Sequence, residues 1–402
     1  MEFDNNTISS IIVTHQARLK CYLNNFTKSK IHRFMNGCIL KITRHTNTRQ
    51  VITSRDDTDE WLESIELIYN GMIDESKPDY IFYQIDGPAE PNKSNKKNYK
   101  IIKFSDFSRK LTKEETKNYN SDLTYVFYVI RHGQAEHNIK ENWGALKQLS
   151  TNNRDTNLTS NSEDKMDGQK QAIETGKNLY DYLIKKKQEY LTEKLNYLNN
   201  EKEKMHVELE IAGLNKNNNN THQEQSIDLH IKKVFVSDLK RTRQTLQNIL
   251  VGMFQNNSML TLGEAQNDNK IIVSVLPCSH ELAYPKCDTS NFPGAVENTM
   301  NCSINDISEN TNCKQIKIKD KVIEFKWDKY IEFYGKGTRT KPGNKRQCKD
   351  TNMISLAINE FLINKNIGGK KKTKKLKKKN RKTKKKSRKS KRSKKRQKTR
   401  RR

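Results

Sequence analysis

No apolar run in this 402-residue chain approaches the ~20 residues that a membrane-spanning helix needs. The opening residues, Met-Glu-Phe-Asp-Asn-Asn, are acidic and polar and lack the basic and apolar regions of a secretory signal. The seven cysteines include no Cys-x-x-Cys pair, and an odd number does not suit a closed set of disulfides. A soluble intracellular protein with reduced thiols is expected, in the cytoplasm or in the nucleus and nucleolus. Apolar residues are scarce as well, at 33%. Lys- and Asn-rich stretches account for much of the deficit, so a packed core cannot use the whole chain.

Acidic residues are missing altogether from 370–402, which hold 24 Lys/Arg. This segment carries most of the net charge of +30 and leaves only +6 for residues 1–369. Self-repulsion and the shortage of apolar side chains predict a disordered tail over 369–402. No aromatic side chain interleaves with the charge. The tail is therefore expected to hold nucleic acid or another polyanion without sequence preference, by counterion release. Deleting 370–402 should weaken RNA binding and flatten its salt dependence, which a salt titration of the intact and shortened chains measures.

What the chain does contain is four short apolar runs of the kind that form buried strands of a mainly parallel sheet. Each ends in reactive side chains. Ile11-Ile12-Val13 runs into Thr14-His15, and Val126 to Ile130 runs into Arg131-His132-Gly133. Val234-Phe235-Val236 leads to Ser237-Asp238-Leu239-Lys240-Arg241, and Ile271 to Val275 leads to Ser279-His280-Glu281. In open α/β sheets the carboxyl ends of the strands hold the ligand. Gathered there, Arg131 and Arg241 supply two guanidiniums, His132 and His15 two imidazoles, and Glu281 a carboxyl.

That set suits phosphoryl transfer. Guanidinium forks match phosphate oxygens and keep their charge at any working pH. A neutral imidazole can attack phosphorus and hold the phosphoryl group covalently. A carboxylic acid can protonate the departing alkoxide. No Asp/Glu/His cluster has obvious metal spacing, so no metal is expected, and Arg and His would neutralise the charge that Mg²⁺ neutralises elsewhere.

Helical periodicity marks Gln171, Ala172, Gly176, Leu179 and Leu183, continues through Leu191, Leu195 and Leu198 towards Leu209, and stops at Asn217–Asn220. Leu246, Ile249, Leu250 and Met253 form a second helical stripe, and Met353 to Leu362 a third. Cys38 to Ile42, 61–69 and 80–85 read as strands, and Val322 to Trp327 as a strand or an ordered loop. The tract 86–123 is broken by Gly87, Pro88 and Pro91 and reads as a surface connector. His137, His206, His222 and His230 carry no assigned role and are expected at the surface.

These motifs resemble the histidine phosphatase superfamily, which includes the cofactor-dependent phosphoglycerate mutases. Arg131-His132-Gly133, with Asn138 beyond it, is similar to the family signature. Leu158-Thr159…Gly168-Gln169…Gln171-Ala172…Gly176…Leu179 resembles the next block, with an insert after Thr159. Ser237-Asp238-Leu239-Lys240-Arg241-Thr242…Gln244-Thr245 resembles the block with the second phosphate-binding arginine. Glu281, followed by Cys287-Asp288-Thr289, resembles the acid-bearing segment of some members. The family's second catalytic histidine comes late in the chain, yet here no histidine follows His280. The missing piece resembles the front: Ile11-Ile-Val-Thr-His15, then Asn36-Gly37-Cys-Ile-Leu like the family's closing strand. Ser279-His280 is an alternative imitation of that second-histidine motif.

The resemblance thus implies a circularly permuted member, a three-layer α/β/α sandwich in a single domain over 1–368. Insertions are expected at about 43–123, 185–228 and 285–350. It implies that His132 is the nucleophile, that Arg131, Arg241, His15 and, more weakly, Asn138 bind the phosphoryl group, and that Glu281 donates the proton. No cofactor is implied. A metal-independent phosphomonoester hydrolase is the preferred expectation. A phosphoglycerate mutase-type phosphotransferase ranks lower, because Leu282-Ala-Tyr-Pro does not match the Arg-x-Tyr-Gly-like run that follows the acid in mutases. A catalytically silent phosphate- or polyanion-binding module using the same residues is the reading from another class.

Overall fold

A computed structural model describes residues 3, 5–23, 26, 30–31, 34–45, 62–71, 83–85, 99–101, 107–112, 123–138, 156–160, 167–217, 226–256, 260–262, 270–279, 301–303, 315–318, 321–334 and 353–362. The chain divides into two units, 1–356 and 357–402. Of the second, only the end of one helix is described. The expected disorder of 369–402 falls outside the described residues.

The strands, in chain order, are β1 (Thr7–Thr14), β2 (Lys30–Ile31), β3 (Ile39–His45), β4 (Leu62–Tyr69) and β5 (Tyr83–Ile85). Then come β6 (Tyr99–Ile101), β7 (Phe107–Lys110), β8 (Thr124–Arg131), β9 (Ile227–Asp228) and β10 (Ile231–Val236). The last are β11 (Leu260–Thr261), β12 (Lys270–Val275), β13 (Asn301–Ser303), β14 (Gln315–Ile318) and β15 (Lys321–Lys326). The helices are α1 (Gln16–Leu23), α2 (Gly168–Tyr197), α3 (Glu201–Asn217), α4 (Lys240–Asn256), α5 (Asp328–Tyr334) and α6 (Met353–Leu362).

Ten strands form one sheet in the order β13-β14-β15-β12-β10-β1-β8-β3-β4-β7. Its centre, β15-β12-β10-β1-β8, is parallel throughout. The fold is therefore α/β with a large, mostly parallel sheet. β3, β4 and β7 extend it on the β8 side as antiparallel strands.

The apolar runs explain this centre. Ile11, Val13, Val126, Tyr128, Ile130, Val234, Val236, Val273 and Val275 lie in one core cluster with Leu179, Leu246, Ile249 and Met253 of α2 and α4. The intervening Ile12, Phe127, Val129 and Phe235 point to the other face and are buried too. Strands covered on both faces need continuous rather than alternating apolar sequence. β1 pairs in register with both neighbours, Val13 opposite Ile130 of β8 and opposite Val236 of β10. The four runs therefore end at one edge of the sheet. α2 and α4 cross closely because position 176 has no side chain. A Cβ on Gly176 would collide with the Ile249 carbonyl oxygen.

Three readings of the sequence change. The helical pattern after Leu191 does not run unbroken. α2 ends at Tyr197 and α3 begins at Glu201, because Leu198 turns extended and Asn200 starts the next helix. The Asn200 side chain accepts from the Lys202 N–H at 3.0 Å, a capping role that outweighs the apolar periodicity. The tract 86–123 is more than a connector, since β7 adds an edge strand through pairs such as Ser64 with Ser108. Likewise 285–350 contributes β14 and β15, and β15 settles 322–326 as a strand parallel to β12. Short strands such as β7 and β14 carry too few apolar residues to stand out in a Lys/Asn-rich background.

Candidate functional site

The four strand ends meet. The His132 N–H donates to the Thr14 carbonyl at 3.0 Å, and the Ser237 N–H to the Val13 carbonyl at 3.1 Å. The Leu276 N–H donates to the Val236 carbonyl at 2.8 Å. Parallel register carries each chain past its strand end at the same level, so His15, His132 and Ser237 emerge side by side. The His15 and His132 rings lie 5.0 Å apart, edge to face. Both are buried, as are Arg131 and Arg241.

His132 Nδ1 lies 2.6 Å from the Gly133 carbonyl oxygen. A carbonyl only accepts, so Nδ1 carries the proton and Nε2 keeps the lone pair. Burial, then the Arg241 and Arg131 charges, push its pKa well below the ordinary value, against the opposing pull of that carbonyl. Burial and the nearby guanidiniums thus favour the neutral imidazole.

Gly133 makes this turn possible. A Cβ there would collide with the Gly168 carbonyl oxygen at the start of α2. The Gly133 N–H donates to Thr245 Oγ1 at 3.1 Å, and Thr245 in turn donates to the Arg241 carbonyl at 2.7 Å. α4 is thereby latched to the strand end that carries His132. Gln244 latches the second loop, accepting from the Leu158 N–H at 2.8 Å and donating to Asn157 Oδ1 at 3.2 Å. Arg131 Nη1 donates to the Phe34 carbonyl.

Asn138 is placed differently from His15, Arg131, His132 and Arg241. It is exposed, and its Oδ1 accepts from the Ala135 N–H at 3.1 Å. Its amide oxygen shapes the turn after Gly133. Glu281 and His280 lie outside the described residues. The chain reaches Ser279 through a sharp turn with Cys278 at φ 62°. Ser279 is pinned beside His15, because Thr14 Oγ1 donates to the Ser279 carbonyl at 2.7 Å.

Two findings depart from the sequence reading. Cys278 is disulfide-bonded, against the expectation of reduced thiols throughout, while Cys21 and Cys38 are free. Local spacing reports only local pairs, and a bridge closed by the fold leaves no such mark. His137 is half-buried near His132, their rings 6.4 Å apart, rather than an idle surface residue. Its Nδ1 is 2.7 Å from Thr156 Oγ1. Burial, Arg241 and Arg131 lower its pKa to about 2. Its place one residue before Asn138 in the signature was the only hint. Of the others, His206 is exposed and His230 half-buried, and His222 is outside the described residues.

These depressed values set a sign for stability. His132 and His137 stay neutral in the fold, whereas unfolded histidines protonate near 6.5. Below that pH the unfolded chain binds more protons, so stability falls as pH drops from about 6.5 towards the folded-state values. His137→Gln should show a shallower acid fall than wild type when urea midpoints are compared at about pH 7 and about pH 5.

Among the described residues no group of three or more His, Cys, Asp or Glu could hold a metal ion, and no helix is long and apolar enough to cross a membrane. A cavity of about 410 Å³ lies at the far end of β3, lined by Lys41, His45, Lys186, Glu189, Tyr190 and Glu193 among others. Its lysines are already paired, Lys41 with Glu66 at 3.2 Å and Lys186 with Glu189 at 2.7 Å. Fold and site together define an α/β protein with a buried histidine–arginine cluster at the carboxyl edge of a parallel sheet. Comparison with family models, curated proteins and solved structures finds no match for the chain.

Proposed function

We propose that this chain is a metal-independent phosphomonoester hydrolase that works through a phosphohistidine on His132. The observation that carries the reading is the state of that ring. Nδ1–H is donated to Gly133, the imidazole is held neutral, and Arg131 and Arg241 lie close enough to depress its pKa. Guanidiniums that disfavour an imidazolium favour a bound phosphate dianion.

In this mechanism Nε2 attacks phosphorus while the ester P–O bond breaks. Arg131, Arg241 and His15 take the phosphoryl oxygens. Glu281, assigned by the resemblance alone, gives its proton to the leaving alkoxide. A water that surrenders its proton to the Glu281 carboxylate then attacks the phosphohistidine and releases inorganic phosphate.

The finer fold belongs to the same proposal: a permuted histidine-phosphatase topology. Supporting it, the strand that leads to His15 comes first in the chain yet lies directly beside the strand that leads to His132, with Thr14 opposite Arg131. β3 follows on the other side of β8. The test is turnover of an aryl phosphate with metal chelated, together with trapping of an acid-labile phosphoenzyme. Turnover that needs an added metal would overturn the reading. Phosphate binding without turnover would favour the silent binding module.

A further inference from the structure

His15 does not stand alone. Its Nε2 is 2.9 Å from Ser237 Oγ, and Ser237 Oγ donates to Asp238 Oδ1 at 3.2 Å. The second carboxylate oxygen, Oδ2, accepts from the Tyr330 hydroxyl at 3.2 Å. All four residues are buried. Tyr330 comes from α5, in a tract that carries no recognisable motif, and its ring packs edge-on against Trp327 at 5.4 Å.

The proton count gives this chain a direction. A serine hydroxyl has one proton, and here it goes to Asp238. Towards His15 the same oxygen can only accept, so Nε2 must carry a hydrogen. We propose that Ser237, Asp238 and Tyr330 form a positioning relay that keeps His15 protonated at Nε2. Gain and loss of a proton is thereby confined to Nδ1. As an imidazolium, His15 donates Nδ1–H to an anionic ligand, and the Asp238 carboxylate stabilises that cation through Ser237. Tyr330 holds the carboxylate in place from the far side. The role in turnover rests on the phosphatase reading. The tautomer does not.

The outcome is read in two ways. Two-bond proton–nitrogen spectra of the full-length protein with labelled histidine should show His15 as the Nε2–H form when neutral. Ser237→Ala should convert it to a mixture or to the Nδ1–H form, and Ser237→Thr, which keeps the hydroxyl, should restore it. In turnover, Ser237→Ala should lower kcat roughly 10- to 100-fold, the range for outer partners of an oriented histidine, with KM changed less. Asp238→Asn and Tyr330→Phe should follow with smaller losses and an intact fold. A wild-type His15 in the Nδ1–H form, or a Ser237→Ala protein with an unchanged spectrum, would overturn the relay. If wild type shows the Nε2–H form but no turnover and no phosphoenzyme, the relay stands and the phosphatase reading fails.

Discussion

His132→Ala is expected to abolish aryl-phosphate turnover, by on the order of 10⁴-fold or more, the scale for losing a covalent nucleophile. The acid-labile phosphoenzyme should disappear with it. The size follows from the place of the ring in the fold. Its Nε2 is a lone pair directed by a fixed Nδ1–H bond to the Gly133 carbonyl at 2.6 Å. Among the described residues, the two neighbouring imidazoles are held by other partners. His15 Nε2 is tied to Ser237, and His137 Nδ1 to Thr156. The buried ring leaves a cavity, so some stability is lost at neutral pH and a urea curve should accompany the kinetics. Burial and two guanidiniums disfavour protonation of this ring, so removing it also removes an acid-sensitive group. Phosphate binding should persist, because Arg131 and Arg241 remain. Undiminished turnover in His132→Ala, measured with purified protein, would sink the proposed chemistry.

His15→Ala should lower kcat by roughly 10²- to 10³-fold, the range for removing one preorganised donor to a developing anion. His15 sits 5.0 Å from His132, ring to ring, yet comes 117 positions earlier in the chain. KM should shift less than kcat if the contact strengthens as charge develops on the phosphoryl oxygens. Loss of a buried ring also leaves a cavity and removes one of the two partners of the Ser237 hydroxyl. A urea denaturation curve must therefore accompany the kinetics, so that a kcat loss is not mistaken for unfolding. Full activity in a folded His15→Ala protein would end the permuted arrangement as an idea.

The sequence-level reading succeeded where the physics is local. Buried parallel strands require uninterrupted apolar runs, and β1, β8, β10 and β12 each had one. Strand ends carry polar residues into the crevice, so Arg131, His132, Ser237, Arg241 and His15 were all visible as candidates. It fell short where the deciding interaction is distant or weak in pattern. His137 reads as a surface residue because its burial near His132 and the influence of the distant Arg241 depend on the fold rather than on its own flanking residues. The Asn138 Oδ1 accepts from the Ala135 N–H, a turn contact that the motif alone does not disclose. The break between α2 and α3 is weak in pattern, because apolar spacing continues across it while a single side chain, Asn200, caps the new helix. The Cys278 bridge had no local signature at all.

By itself, the sequence determined the α/β class, the four strand ends and the chemical kinds of side chain they deliver, because apolar runs and their boundaries are properties of a few consecutive residues. Only the tertiary structure decided that β1, although first in the chain, lies between β8 and β10. That pairing is long-range and depends on matching registers across the sheet. It alone brings His15 beside His132, and it sets the partners that His15 Nε2 and His132 Nδ1 meet.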